Sequence, residues 1–514
     1  MTVRGRTAAI AALTIVIVAI PLLQAFDAPG FHMDEGFLLV YPELILKGHL
    51  PYRDFETFYG PGGPYALSAV YAIFGVNIVV ERAIGLIYRL LIVGAVFGLA
   101  RRWGIGVGVG CSLIAGLLLV DTGVVAFAWI GAMAFGLLSL WLSAELEKKW
   151  RCAVGGFFAG VALLYRLDIA PAVIAAAIPL LLHMNGGARW HWLGGAAAGI
   201  LPLGVITLLA GVGPVFENLF LLPVLYSSPG RRLPLSSADS YVVCLFFTHV
   251  IASIVNVGTA IITVRRSGSE TNARVFLAWA LFGLFLTHQA WQRLDFLHVL
   301  YPAFVSIALL PVSLLMVSKP TESDRVGMGR ATLATLTVFA LVTLAAPRLL
   351  MRFHEAVVTI FVSPAAPTVF LEHNNRSFPF RSQESARETG RVLEQLQRLS
   401  KPGERLFVGP ADLRRTNLTD TFIYHLMPQL RPATYFLEMN PFSANRTGSR
   451  LPADLESADW LVLNRRWDNW KEPNRSGELG PDAPNEVVRQ RFRLLGEYGS
   501  YLLFQKKQGE GAGD

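Results

Sequence analysis

The chain has 514 residues, of which 53% are hydrophobic and only 16% charged, whereas a soluble globular chain carries about 25% charged residues. Its net charge of +8 is spread over short loops between apolar stretches, which argues against nucleic-acid binding and fits the basic loops held on the cytoplasmic side of a membrane protein. The apolar stretches show no β-barrel alternation, so they are read as helices, which pair their own amides in lipid.

Arg4 and Arg6 precede an apolar run over 7–25. The run is long for a signal peptide and many spans follow, so it is read as a retained first helix. Ten more spans are predicted at 83–100, 105–120, 124–142, 153–165, 169–183, 193–209, 241–264, 275–286, 296–316 and 331–346. The stretch 153–183 as one helix would be roughly 46 Å long, too long for a bilayer without extreme tilt. It is therefore split at Arg166-Leu167-Asp168, with Pro171 suited to an early helical position. Eleven spans place Arg101, Arg102, Lys148, Lys149, Arg151, Arg189, Arg265, Arg266 and the basic residues of 319–330 on the side of the N-terminus, which the positive-inside rule makes cytoplasmic.

On the external side this leaves Asp34, Glu35, Asp54, Glu56, Asp121, Asp168, Arg231, Arg232, Arg293 and Asp295. A charge at the bilayer centre costs about 2.5–3.5 kcal/mol on insertion scales, so these groups are expected at the outer interface or in a cavity there. The first external segment, 26–76, is long, and so is the loop 213–240, whose Arg231-Arg232 pair is read as meeting lipid headgroups. Residues 65–75 are apolar but too short to span and read as a helix lying in the interface.

Residues 1–350 thus form the membrane part, and 351–514 an external soluble domain. In that domain 384–399 reads as an amphipathic helix, 401–403 as a turn, and 405–408 and 460–463 as strands. Residues 492–498 and 501–506 read as a hairpin around Gly499. The expected fold class is a polytopic α-helical membrane protein of about eleven spans, with a long first external loop and a C-terminal external α/β domain. Cys111, Cys152 and Cys244 all fall in or at spans, so the sequence offers neither a disulfide framework nor zinc spacing. Asn-x-Ser/Thr triplets begin at Asn375, Asn417, Asn445 and Asn474, and they carry meaning only in a host that glycosylates asparagine.

The first loop reads FHMDEGFLLVYPELILKGHLPYRDFETFYGPGGPYALSAVYAIFG. Asp34-Glu35 opens an amphipathic helix running to Lys47, a position where acids suit the first turn by about 0.3–1 kcal/mol. Gly48 to Asp54 follows, then the Pro-rich turn Tyr59 to Pro64, the apolar helix ending at Phe74-Gly75, and Arg82 at the start of the next span. These five elements resemble the type C glycosyltransferase superfamily, which includes protein O-mannosyltransferases and the aminoarabinose transferase acting on lipid A. Many relatives have His-Pro-Pro where this chain has Tyr59-Gly60-Pro61, so no role of that histidine is carried over. Arg293-x-Asp295-x-x-His298 followed by Pro302 looks like a stretch of many bacterial relatives.

The resemblance implies an inverting transfer of a sugar from a polyprenyl-phosphate donor to an acceptor at the outer face of the cell (inner or plasma) membrane. The phosphate is already a good leaving group, so the chemistry asks for one carboxylate base and several cations. Asp34 is the expected base, with Glu35 as alternative. Arg82, Arg89, Arg166, Arg293 and His298 are the expected phosphate ligands, and Tyr52, Asp54, Tyr59, Asp168 and Asp295 the expected substrate contacts. A structural alternative pairs Arg166 with Asp168, Arg293 with Asp295 and Arg82 with Glu81. His32 and His49 flank the acidic helix, but their spacing is poor for a metal shared with Asp34, so neither metal nor cofactor is expected. The expected partners are the lipid-linked sugar, membrane lipids and a glycan, lipid or protein acceptor, with no nucleic acid. A transporter or lipid flippase, or a non-catalytic envelope assembly protein, is the alternative reading. No half-to-half repeat supports the former.

Overall fold

The computed structural model of the chain describes residues 3–267, 270–318, 327–361 and 368–507, and most of the predicted basic loop 319–330 lies outside them. Every predicted span is a helix. These are α1 (Val3–Leu23), α4 (Ile78–Ala100), α5 (Ile105–Val120), α6 (Ala128–Ser143), α7 (Lys149–Tyr165), α8 (Ala170–Leu181), α9 (Gly186–Ala210) and the helices Ser240–Ser267, Thr271–Phe285, Phe296–Ser318 and Met328–Ala345, with α2 (Asp34–Leu46) and α3 (Gly62–Phe74) between α1 and α4. Among the described residues seven helices are long and apolar enough to cross a membrane, and α5 to α8, of 12 to 17 residues, are shorter members of the same bundle. The chain is a polytopic membrane protein. The turn expected near 166–168 is present, with Arg166 extended and Pro171 in the first turn of α8.

Two features hold the bundle where hydrophobicity alone cannot, because lipid is as apolar as the helices. On α7 and α9, Gly156 and Gly160 face Gly195 and Gly199. A Cβ at Gly160 would stand 2.2 Å from the Ala196 carbonyl oxygen, and one at Gly199 2.2 Å from that of Phe157. Between Ser240–Ser267 and Phe296–Ser318, the Ser253 and Ser306 hydroxyls are 2.8 Å apart and Asn256 Nδ2 donates to the Ser306 carbonyl at 2.8 Å.

The predicted external loop 213–240 is largely helical. Val212–Phe216 runs into a π-helix, Glu217–Tyr226, and then into the short helix Ser228–Arg231. Pro223 inside the π-helix lacks an amide donor, which favours an irregular winding over a regular one. Phe220, Val224 and Leu225 point outward from it.

The C-terminal part is α/β. A hairpin, β1 (Val369–His373) with β2 (Arg376–Phe380), precedes a five-stranded sheet of order β4-β3-β5-β7-β6, made of β3 (Arg405–Pro410), β4 (Arg431–Pro432), β5 (Trp460–Asn464), β6 (Phe492–Tyr498) and β7 (Tyr501–Lys506). β4, β3 and β5 run parallel, and β7 runs antiparallel to both β5 and β6. The helix Gln383–Leu399 buries Val392, Leu393 and Leu396, with Ser382 capping its start through Ser385 N.

This sheet domain sits on the first loop. α2 was expected to expose one face, yet residues 35–42 are all buried. The reason is that the short helix Phe422–Leu426 packs on it so closely that a Cβ at Gly36 would meet Phe422 N at 2.5 Å. Glu43 takes Arg376 at 2.6 and 2.9 Å, His32 Nδ1 lies 2.9 Å from Asp420, and the Tyr435 hydroxyl donates to the Tyr52 carbonyl at 2.7 Å. Glu56 accepts from Ser443.

Candidate active site

Asp34 is the first residue of α2, and its half-buried carboxylate opens into a cavity of about 460 Å³. Burial pushes it up to about 6, the adjacent Glu35 adds to the shift, and His298, Arg231 and Arg293 pull the other way. No protein group holds this carboxylate by a hydrogen bond among the described residues. A carboxylate so placed is free to accept a proton from a group that enters the cavity.

The floor and sides of the cavity come from the membrane part: Phe37, Tyr59, Trp129, Arg166, Arg231, Arg293, Asp295, His298 and Tyr301. Arg166 lies 5.2 Å over the rings of both Tyr59 and Trp129 and grips Asp168 with two bonds. Arg293 donates to Asp295 at 2.6 Å, to Glu472 of the sheet domain and to the Arg231 carbonyl at 2.9 Å. His298 Nδ1 lies 2.8 Å from Asp295. Arg231 differs from these. Its guanidinium stacks 5.3 Å from the Phe58 ring and has no carboxylate partner among the described residues.

A second chamber of about 220 Å³ adjoins the first and shares Tyr59, Arg166, Arg231, Arg293 and His298 with it. Asp168, Gln289 and Gln292 line its polar side, and Leu219, Pro223 and Val224 of the π-helix its apolar side. The cations therefore form a partition between the cavity that holds Asp34 and a chamber that reaches an outward-facing apolar helix.

The roof belongs to the sheet domain: Asn417, Glu438, Asn440, Pro441, Trp470, Glu472 and Ser476. Glu438 accepts from Tyr41 at 2.8 Å and from Asn440 at 3.2 Å, and burial raises it to about 7. The triplet starting at Asn417 is thus turned inward, and Asn445 is buried, its side chain accepting from Phe442 N at 2.7 Å.

Of the residues expected from sequence, Asp34, Tyr59, Arg166, Arg293, Asp295 and His298 meet at the first cavity and Asp168 at the second. The others do not reach either, and their surroundings correct the expected roles. Glu35 is fully buried and bound to Arg82 at 2.8 and 3.0 Å, so it is not an available base and Arg82 is not an available phosphate ligand. The partner of Arg82 is therefore Glu35, not Glu81, whose carboxylate accepts from Ala126 N. Arg89 is fully buried and makes four hydrogen bonds, to the Thr122 hydroxyl and to the carbonyls of Gly85, Thr122 and Val125. Tyr52 is buried with φ 71 and donates to the Tyr59 carbonyl, bracing the loop, while Asp54 pairs with Arg53 at the surface. Arg231, assigned to headgroups by its loop position, faces inward, because the π-helix ends in the short turn that carries it. His32 is occupied by Asp420, and His49 is exposed, 4.0 Å from Asp54. No group of three or more potential metal ligands is found among the described residues.

No family model and no curated protein matches the chain. Among solved structures, ArnT from Cupriavidus metallidurans bound to undecaprenyl phosphate aligns over 99% of this chain and 99% of its own, with a TM-score of 0.53 at 13% identity. The same protein in the apo state aligns over 98% of each chain, with a TM-score of 0.50 at 11% identity. At this identity the likeness is one of fold. It runs the whole length, C-terminal domain included, so the chain shares the fold of ArnT from one end to the other.

Proposed function

We propose that this membrane protein is an inverting glycosyltransferase that takes its sugar from polyprenyl phosphate and works at the outer face of the cell membrane. The observation that carries the reading is one cavity holding an unpaired carboxylate, Asp34, together with an arginine lacking any carboxylate partner among the described residues, Arg231. The binding of undecaprenyl phosphate by the similarly folded ArnT adds support.

In this reading the lipid phosphate binds at the partition between the chambers. Arg231 is its main ligand, Arg166 and His298 stand beside it, and the polyprenyl chain leaves past Leu219, Pro223 and Val224 toward the bilayer. The sugar lies in the larger cavity. Asp34 takes the proton from the acceptor hydroxyl as that oxygen bonds to the anomeric carbon. The bond from that carbon to the phosphate oxygen breaks on the opposite face, and its electron pair leaves with polyprenyl phosphate. Attack opposite the leaving group inverts the anomeric centre. Fixed guanidinium groups stabilise the departing phosphate without reorganising, which is where such sites gain most. The acceptor, a glycan, lipid or protein, enters from the side of the cavity nearest Asp34.

The test is a transfer assay on the purified chain with a panel of polyprenyl-phosphate sugars. Asp34→Asn is expected to lose about 10²–10⁴ in rate while still binding undecaprenyl phosphate. Arg231→Ala is expected to weaken that binding by about 10–100-fold. A wild type that transfers from none of the panel, or an Asp34→Asn variant that matches it, overturns the reading.

A further inference from the structure

The mechanism above leaves the roof of the cavity without a task, yet that roof holds the least satisfied polar atoms of the site. Buried polar atoms are paired in more than about 90% of cases. Asn417 Oδ1 and Ser476 Oγ, both from the sheet domain, are buried with no hydrogen-bond partner among the described residues, and so is Trp129 Nε1 from α6. All three line the cavity that contains Asp34. Ser476 is 3% exposed and Trp129 4%, so neither is a surface group that happens to face water.

The three atoms make a mixed set. Asn417 Oδ1 can only accept, Trp129 Nε1 can only donate, and Ser476 Oγ can do both. A phosphate accepts only and would leave Asn417 Oδ1 opposed, whereas an ammonium donates only and would leave Trp129 unmet. A sugar hydroxyl both donates and accepts, so a ring bearing several of them satisfies the whole set. Aromatic faces complete such a site: Trp129 stacks on Tyr301 with centroids 4.7 Å apart, and Trp470 hangs from the roof, 44% exposed. Asn417 is held in place by its own amide, which donates to the Trp470 carbonyl at 3.3 Å. Ser476 is fixed by the turn in which Asn474 Oδ1 accepts from its amide at 2.9 Å.

We infer that the C-terminal domain reads the donor sugar: Asn417 and Ser476 from above and Trp129 from the side hydrogen-bond its ring hydroxyls. This rests on the proposed function and deepens it. The ring is joined directly to the phosphate, so once Arg231 holds the phosphate and the reacting carbon faces Asp34, the ring lies in the chamber that these atoms line. The two parts of the protein then divide the donor. The membrane part holds the lipid phosphate, common to every donor of this class, and the sheet domain selects the sugar.

The test compares affinities of the full chain, in detergent or nanodiscs, for bare undecaprenyl phosphate and for undecaprenyl phosphate bearing a series of hexoses and pentoses. The wild type should bind at least one sugar-bearing lipid more tightly than the bare one. Asn417→Ala and Ser476→Ala should each raise the Kd for that lipid by about 5–10-fold, the worth of one hydrogen bond of ~1 kcal/mol or slightly more. The Kd for the bare lipid should stay within about twofold. Ser476→Ala removes only the orphaned hydroxyl, so its thermal midpoint should not fall, whereas Asn417→Ala also removes the amide bond to the Trp470 carbonyl and should lower the midpoint slightly. The inference is overturned if the variants weaken both lipids alike, if they change only the KM of the acceptor, or if the wild type binds bare lipid but prefers no sugar. A wild type that binds neither kind of lipid sinks the proposed function itself.

Discussion

Asp34 illustrates how one carboxylate is set apart from its neighbours. It sits beside Glu35 in the chain, yet Glu35 is locked to Arg82 while Asp34 faces the cavity with its ionisation raised to about 6. A general base must be deprotonated, so a raised value means that activity is lost as pH falls through that region and is full above it. The kcat/KM profile is expected to show an acid limb near pH 6. The charge of Glu35 is part of what raises Asp34, so Glu35→Gln should move that limb to lower pH. The same variant leaves Arg82 buried without its carboxylate, and removing one partner of a buried pair costs about 3–5 kcal/mol. Its thermal midpoint should therefore drop, and a limb that stays put in the folded fraction counts against Asp34 as the titrating group. The family resemblance marked Asp34, Arg293 and His298, and a place on the expected external side marked Arg166. The sequence assigned Arg82 and Arg89 to the phosphate and Arg231 to headgroups, because position relative to a span does not show which acceptors a guanidinium will meet. What distinguishes them is the supply of acceptors: Glu35 and several carbonyls surround Arg82, Thr122 and carbonyls bind Arg89, and a single aromatic ring meets Arg231.

Among the elements, the spans were legible because length and continuous hydrophobicity are local properties, and the break at Arg166 was legible from helix length, from Pro171 and from the side on which the later basic loops must fall. The hairpin of β1 and β2 was missed although a signal for it exists. Asn374 and Asn375 take φ 50 and 59, the left-handed pair that a two-residue hairpin turn demands and that asparagine tolerates. The way helices pair was not legible either. The close approach of α7 and α9 depends on Gly156 and Gly160 meeting Gly195 and Gly199 at carbonyl distance, and composition alone does not show which face meets which. Gly160→Val should force the two backbones apart and cost about 1–3 kcal/mol, the usual scale of overpacking. The readout is a lowered thermal midpoint in detergent. An unchanged midpoint shows that this contact is not what fixes the pair.

For the molecule as a whole, composition divides the chain into two parts but carries no sign of how they meet. The contacts that join them link residues hundreds of positions apart, such as Glu43 with Arg376 and Glu56 with Ser443, and such pairings leave no periodicity to read. The Glu43–Arg376 pair is two-pronged and mostly buried, the kind of ion pair that carries orientation as well as energy. Reversing one end, Arg376→Glu, is expected to loosen the sheet domain, seen as faster proteolysis near residue 368 and reduced transfer. Adding Glu43→Arg should restore much of both, and a double variant as protease-sensitive as the single one would show that the pair does not set the docking.

The roof over Asp34 has a consequence for biogenesis. His32, two residues before the base, meets Asp420, which lies 388 residues further along the chain. At about 5–20 residues per second, the ribosome needs on the order of 20–80 s between making the one and the other. Throughout that interval Asp34 has no lid above it and, on the proposed function, nothing beside it to recognise a sugar. On the proposed function, a truncated product would be unable to consume activated lipid, and competence would wait for the segments that carry Asp420 and Ser476 to fold over the cavity.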